Sequence, residues 1–246
     1  MSFESSAIVR QLSNCSRLLL NNCLCFAQHA LPQQCLLCTA PAAAKPVCTD
    51  CYARLPWLTA ARCPQCALPT GDGSFCGACL SHPPRFDGVS AAFAYAWPLA
   101  PLIHHYKYAG NLALAHLLAQ ALSERLTECA DLIIPMPLSP QRLRHRGFNQ
   151  ALEIARVVSR LTGMPLAASA CRRVCDSTPQ AALPWKERAK NIRGAFVCDA
   201  DLSGMRVAVI DDVMTTGATL NELARNLHKA GAVEIQGWMI ARTLPR

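Results

Sequence analysis

The chain has 246 residues, 52% hydrophobic and 16% charged, enough apolar material for a substantial buried core and too much for wholesale disorder. Its formal net charge of +8 is unevenly placed, with five basic and three acidic residues in 1–82 and nineteen and thirteen in 83–246. A balance of this size permits a nucleic acid or a phosphorylated metabolite as partner, and no run reaches the ~20 apolar residues of a membrane-spanning helix.

Residues 1–31 place Ile8, Leu12, Leu19, Leu20 and Leu24 at roughly helical spacing and predict one or two short helical turns. Leu31-Pro32 closes this extension, because proline disfavours helix in the residue before it. An acid at Glu4 and polar residues within the apolar part do not make a secretory signal. The expected compartment is the cytoplasm, with thiols reduced and some of them bound to metal.

Residues 32–82 are rich in cysteine, proline and glycine and lack a long apolar period, so something other than a core must hold them. Four C-x-x-C pairs stand in a row: Cys35/Cys38, Cys48/Cys51, Cys63/Cys66 and Cys76/Cys79. Two residues between thiolates allow a tight turn that offers both sulfurs to one ion, and two such turns complete a tetrahedral site. Nine residues separate the first pair from the second and the third from the fourth, the size of a small hairpin. The spacing predicts two structural zinc ions, with sequential or interleaved pairing both open. Of the remaining cysteines, Cys15, Cys23, Cys25, Cys129, Cys171, Cys175 and Cys198, most are expected as small buried apolar residues.

His82-Pro83-Pro84 reads as a linker into a globular part, residues 83–246. Strands are expected at 88–97, 131–137, 205–210 and 233–241, and helices at 112–127, 149–161 and 218–230. Such alternation predicts an α/β domain with a mostly parallel sheet. Within it, Val207 to Leu220 (VAVIDDVMTTGATL) runs from an apolar strand through two acids into a threonine loop whose glycine opens a helix. Amides at such a helix start point at an anion, and Thr215, Thr216 and Thr219 add hydroxyl donors beside Gly217 and Ala218. Asp211 and Asp212 at the strand's carboxyl end suit sugar hydroxyls or a magnesium ion.

The string of four apolar residues, DD, two residues, TTG, one residue and T resembles the signature of type I phosphoribosyltransferases for phosphoribosyl pyrophosphate (PRPP). Three further segments, with the cysteine pairs, resemble the ComF/GntX-like proteins of bacterial DNA uptake over about residues 32–242. They are IHHYKYAGN (Ile103 to Asn111), IPMPLSPQRLRHRGFNQ (Ile134 to Gln150) and STPQAALPWKERAKNIRGAF (Ser177 to Phe196), the last similar to that family's mobile loop. The resemblance implies a type I phosphoribosyltransferase core with helices on both faces, preceded by a double zinc ribbon. It implies PRPP binding with Mg2+ by Asp211, Asp212, Thr215, Thr216, Gly217, Ala218 and Thr219. Lys107, Arg144, Arg146 and Arg188 are implied on the pyrophosphate side, where cationic groups suit phosphate oxygens. It further implies a role in DNA uptake or utilisation, with single-stranded DNA as a partner, and phosphoribosyl transfer to an acceptor if the protein is an enzyme. Stacking candidates for single strands are Tyr52, Trp57, Tyr106, Tyr108 and Phe148. A non-catalytic zinc-ribbon adaptor is the competing reading.

Overall fold

The computed structural model describes residues 34–43, 45–127, 129–175 and 192–245, so the expected N-terminal helical turns and Arg188 lie outside it. The chain divides into two compact units that part between Ala53 and Arg54. That division falls inside the stretch 32–82.

The first unit is organised around its cysteines. Cys35 to Cys38 forms a knuckle closed by an isolated bridge between Gln34 and Pro41, and Cys48 leads into helix α1, Thr49–Ala53. Among its described residues, Cys35, Ala42 and Val47 are buried. The second unit opens with the same device 28 positions later: a bridge between Arg62 and Pro69, the knuckle Cys63 to Cys66, and helix α2, Gly77–Ser81, entered from Cys76. In both knuckles the residue after the second cysteine takes a left-handed conformation, Thr39 at φ 62° and Ala67 at φ 57°. The repeat extends beyond the cysteine pairs to the flanking bridges and helices.

The second copy is built into a larger core. Cys63, Cys66, Ala67 and Cys79 share one apolar cluster with Phe86, Val89, Met214, Leu220 and Met239. The remaining elements are β1 (Gly88–Ala94), α3 (Leu99–Ala109), α4 (Leu112–Ser123), β2 (Leu132–Pro135), α5 (Pro140–Arg146), α6 (Gln150–Thr162), β3 (Cys171–Arg173), β4 (Phe196–Cys198), β5 (Arg206–Met214), α7 (Ala218–Lys229) and β6 (Glu234–Arg242). Four of the strands form an all-parallel sheet in the order β1-β6-β5-β2. The crossover from β1 to β2 and that from β5 to β6 run across the sheet in opposite directions. Right-handed connections therefore place α4 and α7 on opposite faces. β3 and β4 form a separate antiparallel hairpin.

The outer edge of β1 is covered: Leu58 N–H donates to Ala92 O and Ala94 N–H to Pro56 O, with Trp57 bridged to Phe93. An open parallel edge would otherwise invite pairing with another chain. The expected strand 88–97 ends at Ala94, because Ala96 and the cis Trp97-Pro98 bond turn the chain into α3. Helices α3 and α5 and the hairpin β3–β4 are additions to the expected set.

Of the leftover cysteines, Cys15, Cys23 and Cys25 lie outside the described residues; Cys171 is buried and Cys198 half-buried, and Cys129 and Cys175 are exposed.

Candidate phosphate site and metal centres

β5 carries Asp211 and Asp212 to its carboxyl end and passes through Met214–Thr216 to Gly217, the left-handed residue that starts α7 at φ 79°. The dihedral calls for glycine, whereas a Cβ there would meet only the movable end of Met214, at 2.6 Å from its Cε, and stand in ordinary contact with Phe86 Cζ at 3.5 Å. Thr215 and Thr216 are exposed and Thr219 half-buried. Of the seven positions expected to bind phosphate and ribose, Asp211, Thr215, Gly217, Ala218 and Thr219 line one small concavity together with Met214, while Asp212 and Thr216 adjoin them in the chain. The loop after β2 stands beside them, because β2 pairs with β5 through Leu132↔Val207 to Pro135↔Ile210. Asn149 fixes that loop by donating to Met136 O at 3.1 Å while its Oδ1 caps α6.

Of the four expected cations, Lys107 contacts the acid pair directly and Arg146 acts on it through its charge. Lys107, in the last turn of α3, places Nζ 2.9 Å from Asp212 Oδ2. Arg146 lies close enough to act on Asp211, donates to Gln150 Oε1 at 3.0 Å, and covers the ring of Tyr108 at 5.6 Å. Gln150 joins the two segments, accepting at its carbonyl from Tyr106 Oη at 2.8 Å and donating to Lys107 O. Burial, then the neighbouring Asp212 charge, pushes the Asp211 carboxyl up to about 7, against the pull of its bond from Asp212 N–H and of Lys107 and Arg146. Two adjacent carboxylates that resist simultaneous ionisation are suited to a ligand bringing a cation. Arg144 is exposed on α5 and makes no ion pair among the described residues.

Each group of four cysteines converges. Cys35, Cys38, Cys48 and Cys51 form one cluster and Cys63, Cys66, Cys76 and Cys79 the other, with all sulfurs of a cluster within 4.8 Å of one another. The pairing is therefore sequential. The cross-knuckle contacts Cys38–Cys48 at 3.7 Å and Cys66–Cys76 at 3.6 Å match the ~3.8 Å edge of a tetrahedron with Zn–S bonds of about 2.3 Å. The thiols need a cation. Although burial opposes it, N–H donation from the knuckle backbone pulls Cys63 down to about 7. Burial and then neighbouring thiols push Cys79 far up, so the four cannot ionise together without metal. With four thiolates and no open position, both centres are structural.

Arg242, at the end of β6, was not singled out from the sequence. It is 4% exposed, and it donates from Nε to Cys66 O at 2.8 Å and from Nη1 to Met214 O at 3.1 Å, to Thr215 O and to Thr243 O at 2.8 Å. Burial lowers its pKa, and the Cys66 thiol beside it works in the opposite direction. The available signal was an arginine closing the apolar run GWMIA at the end of the strand EIQGWMIAR.

Residues 26–80 match the family model described as a double zinc ribbon domain. The chain is 32% identical over 225 residues to the DNA utilization protein YhgH of Salmonella typhi, spanning 87% of this chain and 99% of that protein. It is 34% identical over 178 residues to competence protein F of Haemophilus influenzae, spanning 68% and 78% of the two chains. Similar solved structures include a glutamine PRPP amidotransferase from B. subtilis, at TM-score 0.36 and 19% identity, covering 50% of this chain and 25% of that one. Another is a purine phosphoribosyltransferase from Pyrococcus horikoshii Ot3, at TM-score 0.31 and 25% identity, covering 49% and 67%.

Proposed function

The chain belongs to the ComF/GntX-like family of DNA utilization and competence proteins, and from that premise we propose that it binds PRPP with Mg2+ at the Asp211–Thr219 loop in the service of DNA uptake or utilisation. The observation that carries this reading is the meeting of Asp211, Asp212, Lys107 and Arg146 at the carboxyl end of β5, directly before a glycine-led helix start. Hydroxyls of Thr215, Thr216 and Thr219 and the first N–H groups of α7 hold the 5′-phosphate. Asp211 and Asp212 accept from the ribose hydroxyls, and Lys107 and Arg146 meet the pyrophosphate once Lys107 exchanges Asp212 for the ligand. Magnesium, when bound, neutralises pyrophosphate charge. Arg188 is assigned to the same side by the family resemblance.

Single-stranded DNA is the macromolecular partner in this reading. Among the aromatic residues singled out for stacking, Tyr106 is fully buried, whereas Tyr108 is exposed under the Arg146 guanidinium. Tyr108 with Arg146 is therefore the pair suited to a base.

Calorimetric titration of the zinc-loaded protein with PRPP and Mg2+, beside Asp211→Asn/Asp212→Asn, tests the proposal. Saturable binding abolished by the double substitution supports it, and no heat from a folded wild type sinks it. Pyrophosphate release from bound PRPP in the presence of candidate acceptors tests phosphoribosyl transfer.

A further inference from the structure

We propose that Arg242 is the positioning residue through which the second four-cysteine centre holds the phosphate loop in its binding shape, so that zinc at that centre and PRPP at the loop strengthen one another. This rests on the PRPP reading above.

The geometry is a single guanidinium shared by two main-chain segments. Nε takes the carbonyl of Cys66, a ligand of the second centre, and Nη1 takes the carbonyls of Met214 and Thr215, the first residues of the loop. Because the fork of an arginine is rigid, displacement of the Cys66 carbonyl is passed to the Thr215 carbonyl rather than absorbed by a flexible stem. The same knuckle reaches the loop a second way. Gln65 Nε2 donates to Phe86 O at 3.2 Å, and the Phe86 ring is one wall of the space over Gly217. Cys63, Cys66, Cys79, Phe86, Met214 and Leu220 belong to one buried cluster, so the contact between centre and loop is continuous packing.

Charge favours the arrangement. Four thiolates around Zn2+ leave a formal excess of negative charge, and Arg242 is a buried cation placed against it. Loss of zinc frees the knuckle, and the Cys66 carbonyl that holds Arg242 Nε moves with it, so the guanidinium shifts and takes the Thr215 carbonyl along. The coupling is reciprocal by linkage, commonly 5- to 150-fold in affinity for coupled sites, so about tenfold is the size to look for.

The test uses wild-type protein holding both zinc ions. Zinc release to a mercurial reagent and a colorimetric chelator is followed with and without Mg2+ and PRPP, with PRPP binding measured calorimetrically in the same buffer. The expected result is that PRPP slows release of one of the two zinc equivalents about tenfold and leaves the other unchanged. Unchanged release of both, with PRPP shown to be bound, overturns the inference, as does equal slowing of both, which marks general stabilisation. If wild type binds no PRPP, the functional proposal fails and the inference is decided by hydrogen exchange. Arg242→Lys and Arg242→Met, with zinc content measured, should then exchange the Thr215–Thr219 amides about tenfold faster than wild type. Unchanged exchange in variants that fold and keep both metals overturns it.

Discussion

Lys107 Nζ stands 2.9 Å from Asp212 Oδ2, and the two side chains are 20% and 11% exposed. The last turn of α3 and the carboxyl end of β5 are thereby joined, and one of two adjacent acids is paired with a cation. In the proposed reading PRPP competes with Asp212 for Lys107, which leaves Asp212 available to sugar hydroxyls.

Removing that cation takes from Asp212 the ion pair it makes among the described residues and leaves it beside Asp211. Lys107→Met is expected to destabilise the fold by about 1–3 kcal/mol, less than a fully buried pair would lose because water reaches both ends. Asp212→Asn in the Lys107→Met background should recover most of the loss. Thermal denaturation of the four proteins in the cycle measures the coupling, and strictly additive losses would show that the pair contributes nothing.

The Asp211 carboxyl titrates near 7 in the fold against 3.8 in an unfolded chain. The folded state thus holds the proton longer, so raising the pH through this window costs stability at Asp211. A ligand that requires the carboxylate gains affinity over the upper part of the same range. PRPP affinity in Mg2+ should rise between pH 6 and pH 8 more steeply for wild type than for Asp211→Asn. Subtracting the variant's slope removes the titration of the phosphates themselves, and parallel slopes would contradict the assignment.

Gly217→Ala places a Cβ on a backbone at φ 79°, a conformation that L side chains rarely adopt. The substitution should cost about 1–3 kcal/mol and abolish PRPP binding even where the protein still folds. Chemical denaturation and calorimetry read the two effects separately. Wild-type affinity in the alanine variant would show that the loop does not use this turn.

The two cysteine centres should differ in their effect on the main unfolding transition. Cys38→Ser disrupts a centre in the first unit at an exposed cysteine, whereas Cys79→Ser opens the core shared with β5 and α7. Each variant is expected to lose one zinc. The second should also lower the midpoint by roughly 10 °C, as 3–4 kcal/mol does in a domain of this size. Scanning calorimetry with metal analysis distinguishes the two, and equal shifts would place both centres on the same footing.

Much of this architecture is legible in the residue order. The cysteine spacing, the apolar strand into DD and TTG, and the periods of α4, α6 and α7 are local signals, each set by neighbours a few residues apart. Helix α3 is less legible because LAPLIHHYKYA has a proline at its third position and a buried Tyr106 whose role comes from Gln150, 44 residues away. The hairpin β3–β4 is missed because each strand is three residues long, CRR and FVC, too short for a period to show.

By itself, the sequence determined that cysteines would gather metal, that a glycine would open a helix at the end of an acidic strand, and that strands and helices would alternate. Turn chemistry, metal coordination and side-chain period act within a few residues and leave their mark in the order. Tertiary structure alone decided that the cysteine pairing is sequential and that Lys107 meets Asp212. It also decided that the second ribbon lies in the core of the sheet unit, and that Arg242 joins Cys66 to Thr215 across 176 and 27 residues of chain. Such contacts follow from parallel register and burial, which bring distant carbonyls to one guanidinium. No local pattern encodes which arginine will be there.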